Sequence, residues 1–153
     1  RPEHQMVSLC QSNGIHLLAY GSVCGGLLTD RYLGADEPLG FELQTASLKK
    51  YKQIIDAWGG WGLFQELLVV AKGIADKHSV SVANVAVRYI LEKPAVAGVI
   101  IGARLGIVDH IEDNRKITNF HLDCDDLENL ETVLSKSRNL NQIIGDCGDE
   151  YRV

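Results

Sequence analysis

Val96-Ala-Gly-Val-Ile-Ile-Gly-Ala-Arg104, continued by Leu-Gly-Ile-Val-Asp-His-Ile-Glu-Asp-Asn114, is the stretch on which the fold turns. Residues 96–101 form a short apolar run rich in β-branched side chains, the pattern of a strand buried in a parallel sheet. Gly102 then removes a Cβ, and Arg104 stands where the strand gives way to a predicted helix through Ile107, Val108 and Ile111. A strand-to-helix junction offers free backbone N–H groups and the positive end of a helix dipole, and an arginine adds a fork of donors. The pattern suits a phosphate. It is equally the pattern of an ordinary βα loop that binds nothing, and the local sequence leaves both readings open.

A second unit of the same kind lies upstream. His16-Leu-Leu-Ala-Tyr20 reads as a strand and runs into Gly21-Ser-Val-Cys-Gly-Gly-Leu-Leu-Thr-Asp30, a glycine-dense loop. Two strand-to-loop units separated by helices describe part of a barrel or open α/β sheet whose ligand sits at the C-terminal edge of the strands.

Between and around these units the periodicity is helical. Apolar spacing predicts helices over 3–11, over 48–58 with Ser47 as cap, over 63–77 after a break at Gly59-Gly60, and over 82–92 with Ser79 or Ser81 as cap. A last helix follows Asp123 or Asp125, and the polar tail from Asn139 reads as loose. About six helices thus share two strands, a helix-rich α/β chain with too few strands for an ordinary sheet. Trp58 and Trp61 read as packing anchors, and His16 as plain structure.

Composition narrows the partners. The chain has 153 residues, 46% hydrophobic, with a net charge of −5. That balance disfavours a nucleic-acid or anionic-membrane surface, so any phosphate site is local. In the helix-turn-helix-like pair the second helix, 82–92, carries one basic residue, Arg88, which argues against DNA. Cys10, Cys24, Cys124 and Cys147 show no CxxC spacing, so neither a disulfide framework nor a zinc site is expected, and a cytoplasmic setting with reduced thiols is. No membrane span is expected. His110, Asp113 and Asn114 share one helical face and two of them could ligate a metal, but the sequence places no third ligand, and a polar rim above a site is the better reading.

With these residues in view, the chain resembles the C-terminal half of an aldo-keto reductase. Leu18 through Thr29 is similar to the stretch that follows that family's seventh strand. Val99-Ile-Ile-Gly-Ala-Arg104 through Asn114 resembles the eighth strand and its helix, Val82 through Ile90 the helix before it, and Arg1-Pro-Glu the start of the sixth barrel helix. The likeness covers roughly residues 1–140, with 141–153 as the loose tail. It implies the C-terminal part of a TIM (β/α)8 barrel and NADP(H) as cofactor.

Position by position, the resemblance implies that Tyr20 packs against the nicotinamide. Gly21, Ser22, Val23, Gly25 and Gly26 approach the pyrophosphate through their backbone; Gly102, Ala103 and Arg104 hold the adenosine 2′-phosphate; and Asp113 and Asn114 face the adenine. Ser22-Val23 departs from the Pro-Leu of many members. No residue matches the family's Asp, Tyr, Lys and His tetrad, which lies on the first half of the barrel. The expectation is therefore a fragment or truncated reductase that handles small carbonyl substrates only as part of a whole protein, and whose partner is its missing N-terminal half or a second copy of itself. The alternative is a non-catalytic nucleotide-binding or interaction module built on a self-associating half-barrel.

Overall fold

The computed structural model describes residues 2–3, 5–103, 106 and 110–146. Seven helices and two strands are found among them, in the order α1 (Met6–Asn13), β1 (Leu17–Tyr20), α2 (Ala46–Trp58), α3 (Gly60–His78), α4 (Val82–Leu91), β2 (Val96–Ile100), α5 (Ile111–Arg115), α6 (Cys124–Leu134) and α7 (Leu140–Ile144). Short 3-10 turns at Cys24–Gly26, Asp30–Tyr32 and Lys116–Asn119 fill the connections. The architecture is a helix-rich α/β arrangement.

β1 and β2 pair in parallel with Leu18 opposite Gly98, Ala19 opposite Val99 and Tyr20 opposite Ile100, after an irregularity between Leu17 and Leu18. Parallel strands need a crossover, and here α2, α3 and α4 all lie within it. The sheet has no third strand among the described residues.

The core belongs to the helices. α3 is its axis, burying Trp61, Phe64, Leu68, Ala71, Ile74 and Ala75 along one stripe at helical spacing. Val82 and Val85 of α4, Leu130 of α6, Ile55 of α2, and Phe120 and Leu122 of the connector close around it, and Leu27 drops in from the loop after β1. Each fully buried Phe or Leu contributes about 1.5–3 kcal/mol through area removed from water. Trp61 packs on Phe64 with ring centroids 5.3 Å apart, and its Nε1–H donates to the Ala35 carbonyl at 3.0 Å. Both tryptophans flank the break, and both pack on the core as anchors.

The break itself turns the chain by 97° between α2 and α3. Among the described residues no single helix is long and apolar enough to cross a membrane; α2 and α3 satisfy length and composition only as a pair, across that bend.

A buried carboxylate ties α6 to α3. Asp126 is 2% exposed and accepts from Lys77 Nζ (2.7 Å), from His78 Nε2 (2.7 Å) and, in a capping box, from the Asp123 N–H (3.1 Å). Burial alone pushes its pKa up, but the bonds from Lys77, His78 and the Asp123 N–H outweigh it and hold the carboxyl below its ordinary value.

Several local expectations shift. The cap of α2 is Thr45, whose Oγ1 accepts the Leu48 N–H (3.1 Å) from an extended backbone, and Ser47 is freed for another contact described below. Of the alternatives elsewhere, Ser81 caps α4 and Asp123 caps α6. α3 begins at Gly60, three residues earlier than the periodicity suggests. Residues 140–144, expected in a loose tail, are helical: Asn139 Oδ1 accepts from the Asn141 and Gln142 N–H groups, and the neighbouring Arg138 N–H donates to the Trp58 carbonyl at 2.7 Å. That correction follows from a single capping asparagine and one long-range anchor, neither of which has a periodic signature. The helix expected through Ile107 and Val108 is described from Ile111 onward; residues 107–109 lie outside the described residues.

Candidate functional site

The two strands end side by side, and the residues there stand open. Tyr20 is 69% exposed and its partner Ile100 57%; two residues back on the same face, Leu18 is 64% exposed. Leu18 lies over Gly98, its Cδ2 3.2 Å from where a Cβ on that glycine would stand. The sheet thus presents an apolar face with an aromatic ring at its C-terminal edge, where parallel α/β sheets bind ligands.

Past Tyr20 the backbone turns left-handed at Gly21 (φ 74°), Cys24 (49°), Gly25 (66°) and Gly26 (102°). Two of these glycines serve packing. A Cβ on Gly21 would collide with the Tyr51 hydroxyl, and one on Gly25 would stand 2.7 Å from Ser47 Oγ and 2.9 Å from Tyr51 Cδ2. α2 lies directly on the loop because both positions lack a side chain. Gly26 and, on the other loop, Gly102 have open space where a Cβ would go. The loop closes on itself through Cys24 N–H to the Gly21 carbonyl (2.9 Å) and Gly26 N–H to the Val23 carbonyl (2.9 Å); the N–H groups of Ser22 and Val23 take no part in these turns. Burial pushes the Cys24 thiol up to about 11, so it stays protonated and unreactive at neutral pH.

On the second loop Gly102 and Ala103 are exposed, and Arg104 lies outside the described residues. Asp113 turns toward α4: its Oδ2 accepts from the Ser81 hydroxyl (2.7 Å), its Oδ1 pairs with Lys116 (3.3 Å), and its carbonyl accepts from Asn84 Nδ2 (3.1 Å). Asn114 is half-buried beside it, its N–H on the His110 carbonyl at 2.8 Å. The loop after β1 reaches the same helix end, where the Asp30 carboxylate accepts the Val82 N–H (3.0 Å). Tyr51, Asp30, Ser81 and Asn84 are the residues that sequence reasoning did not assign to the site. Asn84 alone carried a signal, as a polar residue within the apolar stripe of a helix.

Chemically, the arrangement holds and orients. Tyr89 donates to Glu131 (2.5 Å), with Lys93 Nζ 4.1 Å from its ring centroid. Its pKa is pushed up to about 12, chiefly by burial and by the Glu131 bond, so it keeps its proton. Among the described residues no three His, Cys, Asp or Glu side chains converge as metal ligands.

A sequence model of the Aldo/keto reductase family matches residues 1–135. The chain is also similar to "Flagellar radial spoke protein 5" of Chlamydomonas reinhardtii, 38% identical over 91 residues, 58% of this chain. It spans 17% of the length of that curated relative.

Proposed function

Because the chain belongs to the aldo/keto reductase family, we propose that it is the C-terminal half of an NADPH-dependent reductase barrel, holding and orienting the cofactor while the groups that protonate the substrate lie elsewhere in the whole protein. The observation that carries this reading is the open edge of the parallel pair, where the exposed Tyr20 ring stands beside Ile100 and before a left-handed glycine loop. These residues fit a dinucleotide. Tyr20 offers a flat ring for stacking, Gly26 and Gly102 leave room for close backbone approach, and the Ser22 and Val23 N–H groups are left over from the turns of their own loop. When bound, the nicotinamide cofactor supplies a hydride to an aldehyde or ketone carbonyl. Gly21 and Gly25 contribute to the pyrophosphate side indirectly, by letting Tyr51 and Ser47 brace the loop. Gly102, Ala103 and Arg104 hold the 2′-phosphate, and Asn114 with the backbone near Asp113 borders the adenine. The compartment is cytoplasmic, and no nucleic acid or membrane is a partner.

Cofactor titration tests this. A guanidinium on a 2′-phosphate makes a charge-assisted contact worth about 1.5–3 kcal/mol, so NADPH should bind the full-length protein roughly ten- to a hundredfold more tightly than NADH. Arg104→Ala should erase most of that preference and leave NADH binding almost unchanged. Equal weakening of both cofactors would make Arg104 structural. Residues 1–153 alone, lacking the tetrad, should not oxidise NADPH in the presence of reactive aldehydes.

A second reading is a non-catalytic nucleotide-binding or interaction module that covers its open sheet face by self-association. One observation favours it: the similar Chlamydomonas protein is named for a flagellar radial spoke. Full-length protein that binds NADPH yet reduces no carbonyl would select this reading.

A further inference from the structure

The first turn of α4 receives the loop after β1 and the short helix α5 that follows the second loop. From the loop after β1, the Asp30 carboxylate accepts the Val82 N–H at 3.0 Å. From the other side Asp113 is held twice, its carboxylate by the Ser81 hydroxyl (2.7 Å) and its carbonyl by Asn84 Nδ2 (3.1 Å). Ser81 Oγ in turn accepts the Asn84 N–H as the helix cap (3.2 Å). Both carboxylates sit at the positive end of the helix dipole, and each has a lysine nearby, Lys72 at 3.9 Å from Asp30 and Lys116 at 3.3 Å from Asp113. Three residues of one turn thereby bind two segments 83 positions apart in the chain, residues 30 and 113.

Asn84 argues that this is more than incidental capping. It is completely buried, in a turn whose other buried residues are Val82 and Val85, and its Oδ1 has no hydrogen-bond partner among the described residues. A buried amide oxygen left unpaired is expensive, and an apolar residue would be free of that cost. What the asparagine supplies in return is its bond to the Asp113 carbonyl.

We infer that this turn is a positioning element that fixes the loop after β1 and the helix α5, which follows the second loop, in register, with Ser81 and Asn84 holding α5 and the Val82 N–H holding the first loop. The inference rests on the reading above, in which the two loops hold opposite ends of one dinucleotide. Such a ligand has a fixed span, and loops already set at that span bind it without a further ordering cost. The coupling is reciprocal: loosening Asp113 loosens residues 21–30, and loosening Asp30 loosens residues 110–117.

Hydrogen exchange on the full-length, cofactor-free protein reads the registration itself. Asp113→Ala should raise amide exchange across 21–30 by about threefold or more, and Asp30→Ala should do the same across 110–117. Glu112→Ala, on the same short helix and paired among the described residues with the exposed Arg115, should change neither distant segment. Exchange confined to each variant's own loop overturns the inference. If α6 amides exchange faster as well, the fold itself has loosened, and the milder Asp113→Asn and Asp30→Asn variants are judged by the same criterion. Nicotinamide mononucleotide, a probe for the far end of the site, should bind Asp113→Ala about threefold more weakly than wild type; unchanged affinity overturns the link to the cofactor. A wild-type protein that binds no NADPH overturns the functional reading, while the exchange pattern still decides the registration.

Discussion

The helical layer and the two-stranded sheet are built from equally apolar sequence but end in opposite states. α3, α4 and α6 bury their stripes against one another, with Leu68, Ala75 and Val82 at 0% exposure. β1 and β2 instead leave Leu18, Tyr20 and Ile100 in solvent. A helix satisfies its backbone internally and needs only one apolar stripe covered. A strand needs neighbours on both edges and cover on both faces, so the same hydrophobicity that completes the helices leaves the sheet unfinished. A chain can therefore hold a complete core and an incomplete site side by side.

Core truncation gives the largest contrast. Phe64→Ala should cost about 3–5 kcal/mol in chemical denaturation, enough to unfold a marginal domain. A loss below about 1 kcal/mol would mean that the helical layer is not where the stability lies.

Next in size is the Asp126 junction. Asp126→Ala removes the acceptor shared by Lys77 and His78 and should cost about 1–3 kcal/mol. Asp126 ordinarily titrates at 3.8 and is held lower in the fold. Its contribution is thus complete above that value and disappears as pH falls through the depressed one. Denaturation midpoints should decline in acid, and Asp126→Asn should flatten the decline. An unchanged acid limb in that variant would assign the decline to other carboxylates.

The open face should respond in the reverse sense. Leu18→Ser and Ile100→Ser should change stability by less than about 0.5 kcal/mol while reducing self-association and hydrophobic-dye binding. Sedimentation of the unaltered chain as a compact monomer that binds no dye would erase the contrast between the two regions.

The smallest effect sharpens the comparison from the other side. Lys136 and Glu66 pair at 2.6 Å on the surface between α6 and α3, both about half exposed. Lys136→Ala should change the denaturation midpoint by no more than about 0.5 kcal/mol equivalent, because exposed pairs gain little over water. A larger loss would mean that these helices are joined by charge as well as by packing.

Much of this was legible in the chain. The apolar runs 17–20 and 96–100 and the 3.6-residue stripes of α3, α4 and α6 are written locally, because period and burial follow directly from side-chain order. The glycines of the first loop were visible too, but not their use. Gly21 and Gly25 are small because Tyr51 and Ser47, from a helix more than twenty residues on, occupy the space beside them. Asp113 was readable as a polar residue after a βα junction, yet its turn toward Ser81 and Asn84 depends on how α5 docks on α4. Sequence by itself determined the two strands, the first glycine loop and the long periodic helices, since those depend on neighbours within a few positions; the short α7, fixed by a capping asparagine and an anchor on Trp58, it did not. Only the tertiary structure decided which glycines serve packing, which polar groups face one another and which sheet face stays bare, because contacts between distant segments leave no period in the chain.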